Sequence, residues 1–115
     1  MIHHLALRVA DLERSRAFYA DLLGLAERRR LTDERGLRAI WLQAGEAVLM
    51  LERELRGRGP AEGSAHLLAF AVEDLAGWEA KLGAAGVAID DRTAHTLYFR
   101  DPDGHRVGVS AYKAL

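Results

Sequence analysis

The sequence predicts an α+β protein built from two βαβββ repeats. The stretch "HHLALRVADL" (3 to 12) returns as "HLLAFAVEDL" (66 to 75), identical at six of ten positions. Each copy reads as a strand running into a helix, and each is followed by three short strand-like runs. A repeat inside a short chain sets the architecture before any single element does. A half of about fifty residues is too small to be stable alone, so the 115 residues are read as one domain. Its first module is 1–54, its second 65–115, and the Gly- and Pro-rich "LRGRGPAEGS" at 55–64 connects them.

In the first copy Leu5, Leu7 and Val9 alternate with His4, Ala6 and Arg8, the period of a strand with one apolar face. Asp11 is the candidate cap of a helix, "DLERSRAFYADLLG", in which Leu12, Ala17, Phe18, Leu22 and Leu23 recur at helical spacing and Gly24 is the stop. Strands are expected near 25–31, 37–43 and 46–52, the last two joined as a hairpin through Ala44 and Gly45. The second copy repeats the order. Its strand is "HLLAFAV" and its helix "EDLAGWEAKLGAAG" has Asp74 as cap and Gly86 as stop. Strands follow near 87–92, 95–100 and 105–112, with "DPDG" (101–104) placing Pro and Gly where a hairpin turn needs them.

Composition narrows the function classes. The chain has no cysteine, which removes disulfides, thiolate metal sites and thiol nucleophiles together. Its net charge is -1, so no overall field gathers nucleic acid or an anionic membrane. The cluster Arg28-Arg29-Arg30 is interrupted by Glu27, Asp33 and Glu34 and lacks interleaved aromatics; no nucleic-acid partner is expected. Arg greatly outnumbers Lys among the 16 basic residues, which suggests a GC-rich bacterial genome. No apolar run reaches bilayer length and no signal-peptide pattern opens the sequence, so the expected location is cytoplasmic, away from the membrane.

The doubled unit, the opening "HLALRVADLERSRAFYADLLGL" and the closing "YFRDPDGHRVGV" resemble the vicinal oxygen chelate superfamily, the glyoxalase/bleomycin resistance protein/extradiol dioxygenase group. The resemblance covers nearly the whole chain. It implies curved mixed sheets around a central cup and a homodimer, with cups meeting within a chain or by exchange between chains. In the resembling enzymes a divalent metal sits in the cup and polarises neighbouring substrate oxygens. The resemblance places its ligands on the first and last strands of each half, as a His and a Glu. His4, five residues before Val9, fills the first position. The matching residue before Val72 is Leu67; seven residues after Asp101 stands Gly108, and the remaining position falls at Met50.

Three of four ligand positions are therefore Met50, Leu67 and Gly108, and three protein ligands are the usual minimum for a catalytic ion. The expectation is no cofactor, and no metal-dependent glyoxalase or dioxygenase activity. His66 is next to Leu67, but successive strand side chains alternate in direction, so His66 and likewise His3 should leave the cup on its far side. A strand bulge turning His66 inward, with Glu52 reaching from the rim, gives the alternative: one divalent ion held by His4, His66 and Glu52 in a lyase or dioxygenase.

The leading expectation is a protein that binds a small organic molecule in an apolar cup, for drug or metabolite sequestration. A purely structural or interaction module is the third possibility. The residues assigned to the ligand are His4, Arg8, Met50, Leu67, Ala69, Tyr98, Arg100, Gly108 and Ser110. Arg8, Tyr98 and Arg100 serve as anchors for an anionic or hydroxylated end. Trp41 is open between the cup wall and the sheet–helix layer, and Phe18, Phe70, Trp78 and Phe99 are assigned to the core. Ser110 in "GVSAY" lacks the strand-to-helix elbow of a nucleophile.

Overall fold

A computed structural model of the chain describes residues 1–57 and 66–113, so most of the expected connector at 55–64 lies outside the described residues. The chain divides into two units, Met1–Gly59 and Pro60–Leu115. Each carries a four-stranded mixed sheet, the α+β class and repeat order that the sequence predicts.

In the first unit β1 (His4–Arg8) leads through a helix to β2 (Ala26–Asp33), β3 (Gly36–Ala44) and β4 (Ala47–Glu52), and the sheet order is β1-β4-β3-β2. β1 runs parallel to β4, while β3 is antiparallel to both its neighbours. Gly45 supplies the positive φ of +62° that the tight β3–β4 turn requires. One face is apolar because residues at alternate positions point the same way: Ile40, Leu42, Leu49 and Leu51 are all essentially inaccessible.

The helix packs over that buried layer. Asp11 has extended backbone and accepts a hydrogen bond from the Arg14 amide at 3.1 Å, capping α1 (Leu12–Arg16). The sequence suggests one α-helix to Gly24, but Ala17–Leu22 is π-helical, with the Leu23 amide bonded to the Phe18 carbonyl at 3.1 Å. The wider turn reduces the angle between neighbours and lets consecutive Phe18 and Tyr19 both face the core. Tyr19 is fully buried and meets Phe18 edge-on, ring centroids 5.0 Å apart.

The second unit comprises β5 (Leu68–Ala71), α2 (Leu75–Ala84), β6 (Asp91–Arg92), β7 (Thr96–Arg100) and β8 (Arg106–Ser110), in sheet order β5-β8-β7-β6. Asp74 caps α2 by accepting from the Gly77 amide at 3.0 Å. The strand expected at 87–92 shrinks to two residues. Val87 instead bonds back to the Leu82 carbonyl at 2.9 Å and finishes the helix, so pairing begins only near Asp90. Leu97, Phe99, Val107 and Val109 form the buried layer with Leu82 of α2. Phe70 and Trp78 are only half-buried, a correction to their placement in the core: Trp78 stays near the surface, with the Lys81 ammonium 4.4 Å from its ring centre.

The "DPDG" turn is held by a side chain. Asp101 is buried and its Oδ1 accepts from the amides of Asp103 at 2.9 Å and His105 at 2.8 Å, while Gly104 takes φ +89°. Among the described residues no helix is long and apolar enough to cross a membrane.

Candidate functional site

The register of the first sheet decides which side chains share its helix-free face. His4 pairs with Val48, Ala6 with Met50 and Arg8 with Glu52; Trp41 pairs with Met50 and Ala39 with Glu52. Directly paired residues point to the same side. His4, Arg8, Met50, Glu52 and Trp41 therefore share one face, which puts Trp41 on the wall and not under the helix.

Glu52 is the buried acid of this face. It is 9% exposed, and its Oε2 accepts from the Trp41 indole Nε1 at 2.8 Å. The Arg38 guanidinium lies 3.8 Å from its other oxygen. The Arg29 guanidinium stands 5.7 Å from the centre of the Trp41 ring. Arg8 is exposed and donates to the Gly57 carbonyl at 2.7 Å, so any anion meeting Arg8 does so through a guanidinium already oriented from one side.

Two details revise the expected disposition of the histidines and acids. Glu52 is four residues along β4 from Val48, the partner of His4, a rise of about 13 Å, so His4 and Glu52 do not converge. The His3 ring, expected to leave on the far side, turns back instead: its Nδ1 lies 2.8 Å from His4 Nδ1, the rings edge-to-face with centroids 5.1 Å apart. His3 precedes β1, so strand alternation does not bind it.

In the second unit Ala69 and Tyr98 flank Gly108, while Ala71 and Thr96 flank Ser110. A Cβ added to Gly108 would lie 3.5 Å from Leu67 Cδ1, so Leu67 leans onto the same face, while His66, which precedes β5, is exposed. Ser110 and Thr96 share a hydroxyl–hydroxyl bond of 2.8 Å. Tyr98 carries the Arg106 guanidinium 4.4 Å from its ring centre, a cation that the sequence reading did not assign. Arg100 donates to Asp90 at 3.0 Å and to the Gly104 carbonyl at 3.2 Å; its charge is already paired, which weakens it as an anchor.

The chain is thus a doubled βαβββ unit with a cation-bearing sheet face in its first unit and small residues on the corresponding face of the second. The model of the Glyoxalase/Bleomycin resistance protein/Dioxygenase superfamily matches residues 1–109. The chain belongs to that superfamily. It is 35% identical to the metallothiol transferase FosB of Bacillus licheniformis, over 91% of this chain and 71% of the relative. It is 33% identical to the glutathione transferase FosA of Serratia marcescens, over 92% and 77%. The crystal structure of the fosfomycin resistance protein FosX from Mesorhizobium loti superposes with a TM-score of 0.77 over 99% of this chain and 93% of that one, at 19% identity, a likeness of fold.

These relatives overturn the expectation of no cofactor. A metallothiol transferase at 35% identity supports the alternative, one divalent metal ion. The physical reason is that a hard divalent ion completes its shell with water and substrate oxygens and needs few protein ligands. His4 offers one imidazole nitrogen; Leu67 and Gly108 offer no donor, and Glu52 is turned to Trp41. Among the described residues no group of three or more His, Cys, Asp or Glu is placed to hold a metal.

Proposed function

We propose that this chain binds a small organic molecule with an apolar body and one anionic or hydroxylated end, on the sheet faces turned away from its helices. The observation that carries this reading is the row His4, Ala6, Arg8 beside Val48, Met50, Glu52: a cation and an imidazole at the ends of an apolar stretch of Ala6, Val48 and Met50, with the one acid, Glu52, held by the Trp41 indole. Such a surface takes apolar substance in its middle and orients it by a charge-assisted bond at its edge. On the second sheet, Ala69 and Gly108 leave space beside the hydroxyls of Tyr98 and Ser110.

A second reading, transfer of a thiol to such a molecule in the presence of one divalent ion, is favoured by the 35% and 33% identities to two transferases. Fosfomycin is the natural probe, being compact and anionic. The full chain is incubated with fosfomycin, glutathione or cysteine, and Mn(II), and followed by phosphorus NMR. A new thiol- and metal-dependent resonance supports transfer. Binding without turnover supports the first reading alone, and neither binding nor turnover removes fosfomycin-like phosphonates from both. We also propose a homodimer, as the resemblance implies. Sedimentation at about tens of micromolar, near the weak end of specific association, tests it, and monomer alone would count against it.

A further inference from the structure

We infer that Trp41 and Arg29 form a clamp for a planar aromatic ring, and that the first sheet selects aromatic carboxylates of two fused rings. This rests on the proposed small-molecule reading and deepens it by naming a chemical class. Four side chains line up across the helix-free face in one row: Arg29 pairs with Trp41, Trp41 with Met50, and Met50 with Ala6. The row runs from a cation through an indole to two apolar side chains, and Trp41, Met50 and Ala6 are all half-buried.

The indole is oriented in advance. Its Nε1 donates to the buried Glu52 at 2.8 Å, and the Arg38 guanidinium lies 3.8 Å from the other carboxylate oxygen. A ring held this way is already ordered, so a second ring stacks on it without that entropy cost. With its one N–H engaged, the indole offers a partner only its π-face and edge. The same bond withdraws the acid of this face, which leaves Arg29 and Arg8 to attract an anion.

A bulge brings Arg29 to this face. Glu27 pairs with Leu42 and Arg29 with Trp41, so Arg28 is the extra residue, and such an insertion re-aims the side chains beyond it. Arg30 then points to the helix, where Glu13 and Glu27 hold it at 2.8 and 2.9 Å. Arg29 stands 5.7 Å from the Trp41 ring centre and, among the described residues, has no carboxylate at ion-pair distance. A ring touching both groups at about 3.5 to 4 Å needs a gap of about 7 to 8 Å, so an outward swing of about 2 Å by the exposed Arg29 admits it. From Trp41 to Arg8 is two strand spacings and two residues, about 12 Å on the backbone. Two fused rings extend over Met50 and Ala6 toward Arg8; a single ring stops short.

The test titrates the full chain with 2-naphthoate and with its saturated counterpart, decahydro-2-naphthoate, following the indole N–H resonances of Trp41 and Trp78 by nitrogen-15 NMR. The clamp predicts a saturable ring-current shift of the Trp41 resonance alone and at least threefold tighter binding of the aromatic acid. Arg29→Met should weaken 2-naphthoate by about two- to fivefold, the range for an exposed cation over a ring. It leaves the fold intact, since Arg29 makes no ion pair, and Trp41→Leu should weaken binding further. Equal affinity for the two acids, an unmoved Trp41 resonance at saturation, or unchanged binding in Arg29→Met would overturn the clamp. Should fosfomycin bind and 2-naphthoate not, the clamp falls and the small-molecule reading stands; should neither bind, both fall.

Discussion

Leu67 Cδ1 lies 3.5 Å, and the Leu97 carbonyl oxygen 3.1 Å, from where a Cβ on Gly108 would sit. The first distance is an ordinary contact, the second a tight one against backbone. Gly108→Ala should therefore destabilise the chain by about 1 to 3 kcal/mol, the usual cost of overpacking. Leu67→Ala should not relieve it, since the obstruction is the carbonyl. Urea denaturation of the single and double variants checks this, and an unchanged midpoint in Gly108→Ala would show that β7 yields easily.

Trp41 donates its indole N–H to the buried Glu52 carboxylate of the first sheet face at 2.8 Å. Trp41→Phe keeps an aromatic ring and removes the donor. A lost bond to a charged group costs about 1.5 to 3 kcal/mol, and Trp41→Phe with Glu52→Gln together should cost less than the sum of the two. Additive losses in a denaturation cycle would mean that the indole contributes by packing alone.

Arg30 joins the helix to β2. Its Nη1 lies 2.8 Å from Glu13 and its Nε 2.9 Å from Glu27, and hydrogen bonding to Arg30 is the main reason both carboxyls sit below their ordinary range. A carboxyl whose folded pKa is lowered contributes stability above its unfolded pKa and loses it as pH falls through the folded value. The contribution should therefore disappear below the ordinary carboxylate range and shrink in high salt, because both acids are at the surface. Arg30→Met should return both titrations toward ordinary values in carboxyl-carbon NMR. Titrations that stay low would assign the shift to another cation.

The fold was legible because its signals are local and repeated. The echo placed β1 and β5, the Asp11 and Asp74 caps placed both helices, and "DPDG" placed the β7–β8 turn. What escaped depends on register or on contacts that pattern does not carry. A 3.6-residue period cannot announce the π-helical turn that buries Tyr19, and Val87 looks like strand although it closes α2. Alternation did place Leu67 with Gly108 and His4 with Arg8. It misplaced His3, which stands one residue outside the strand, and it could not foresee that Asp90 would pair with Arg100 or that Arg106 would cover Tyr98. The cofactor expectation failed for a different reason: missing side-chain donors say nothing about the oxygens that water and substrate bring.

Arg8 is where anionic-ligand binding is most exposed to test, since it is the cation on the His4 face of β1 and its removal leaves the core untouched. Calorimetric titration of fosfomycin into the full chain, with and without Mn(II), and into Arg8→Met measures its contribution directly. The prediction is saturable binding at one molecule per chain, weakened by about 1 to 3 kcal/mol in Arg8→Met, the range for a charge-assisted hydrogen bond. Saturable binding of equal strength in both proteins would contradict the placement of the anionic end at Arg8, and no saturable heat under either metal condition would contradict the binding of this ligand class.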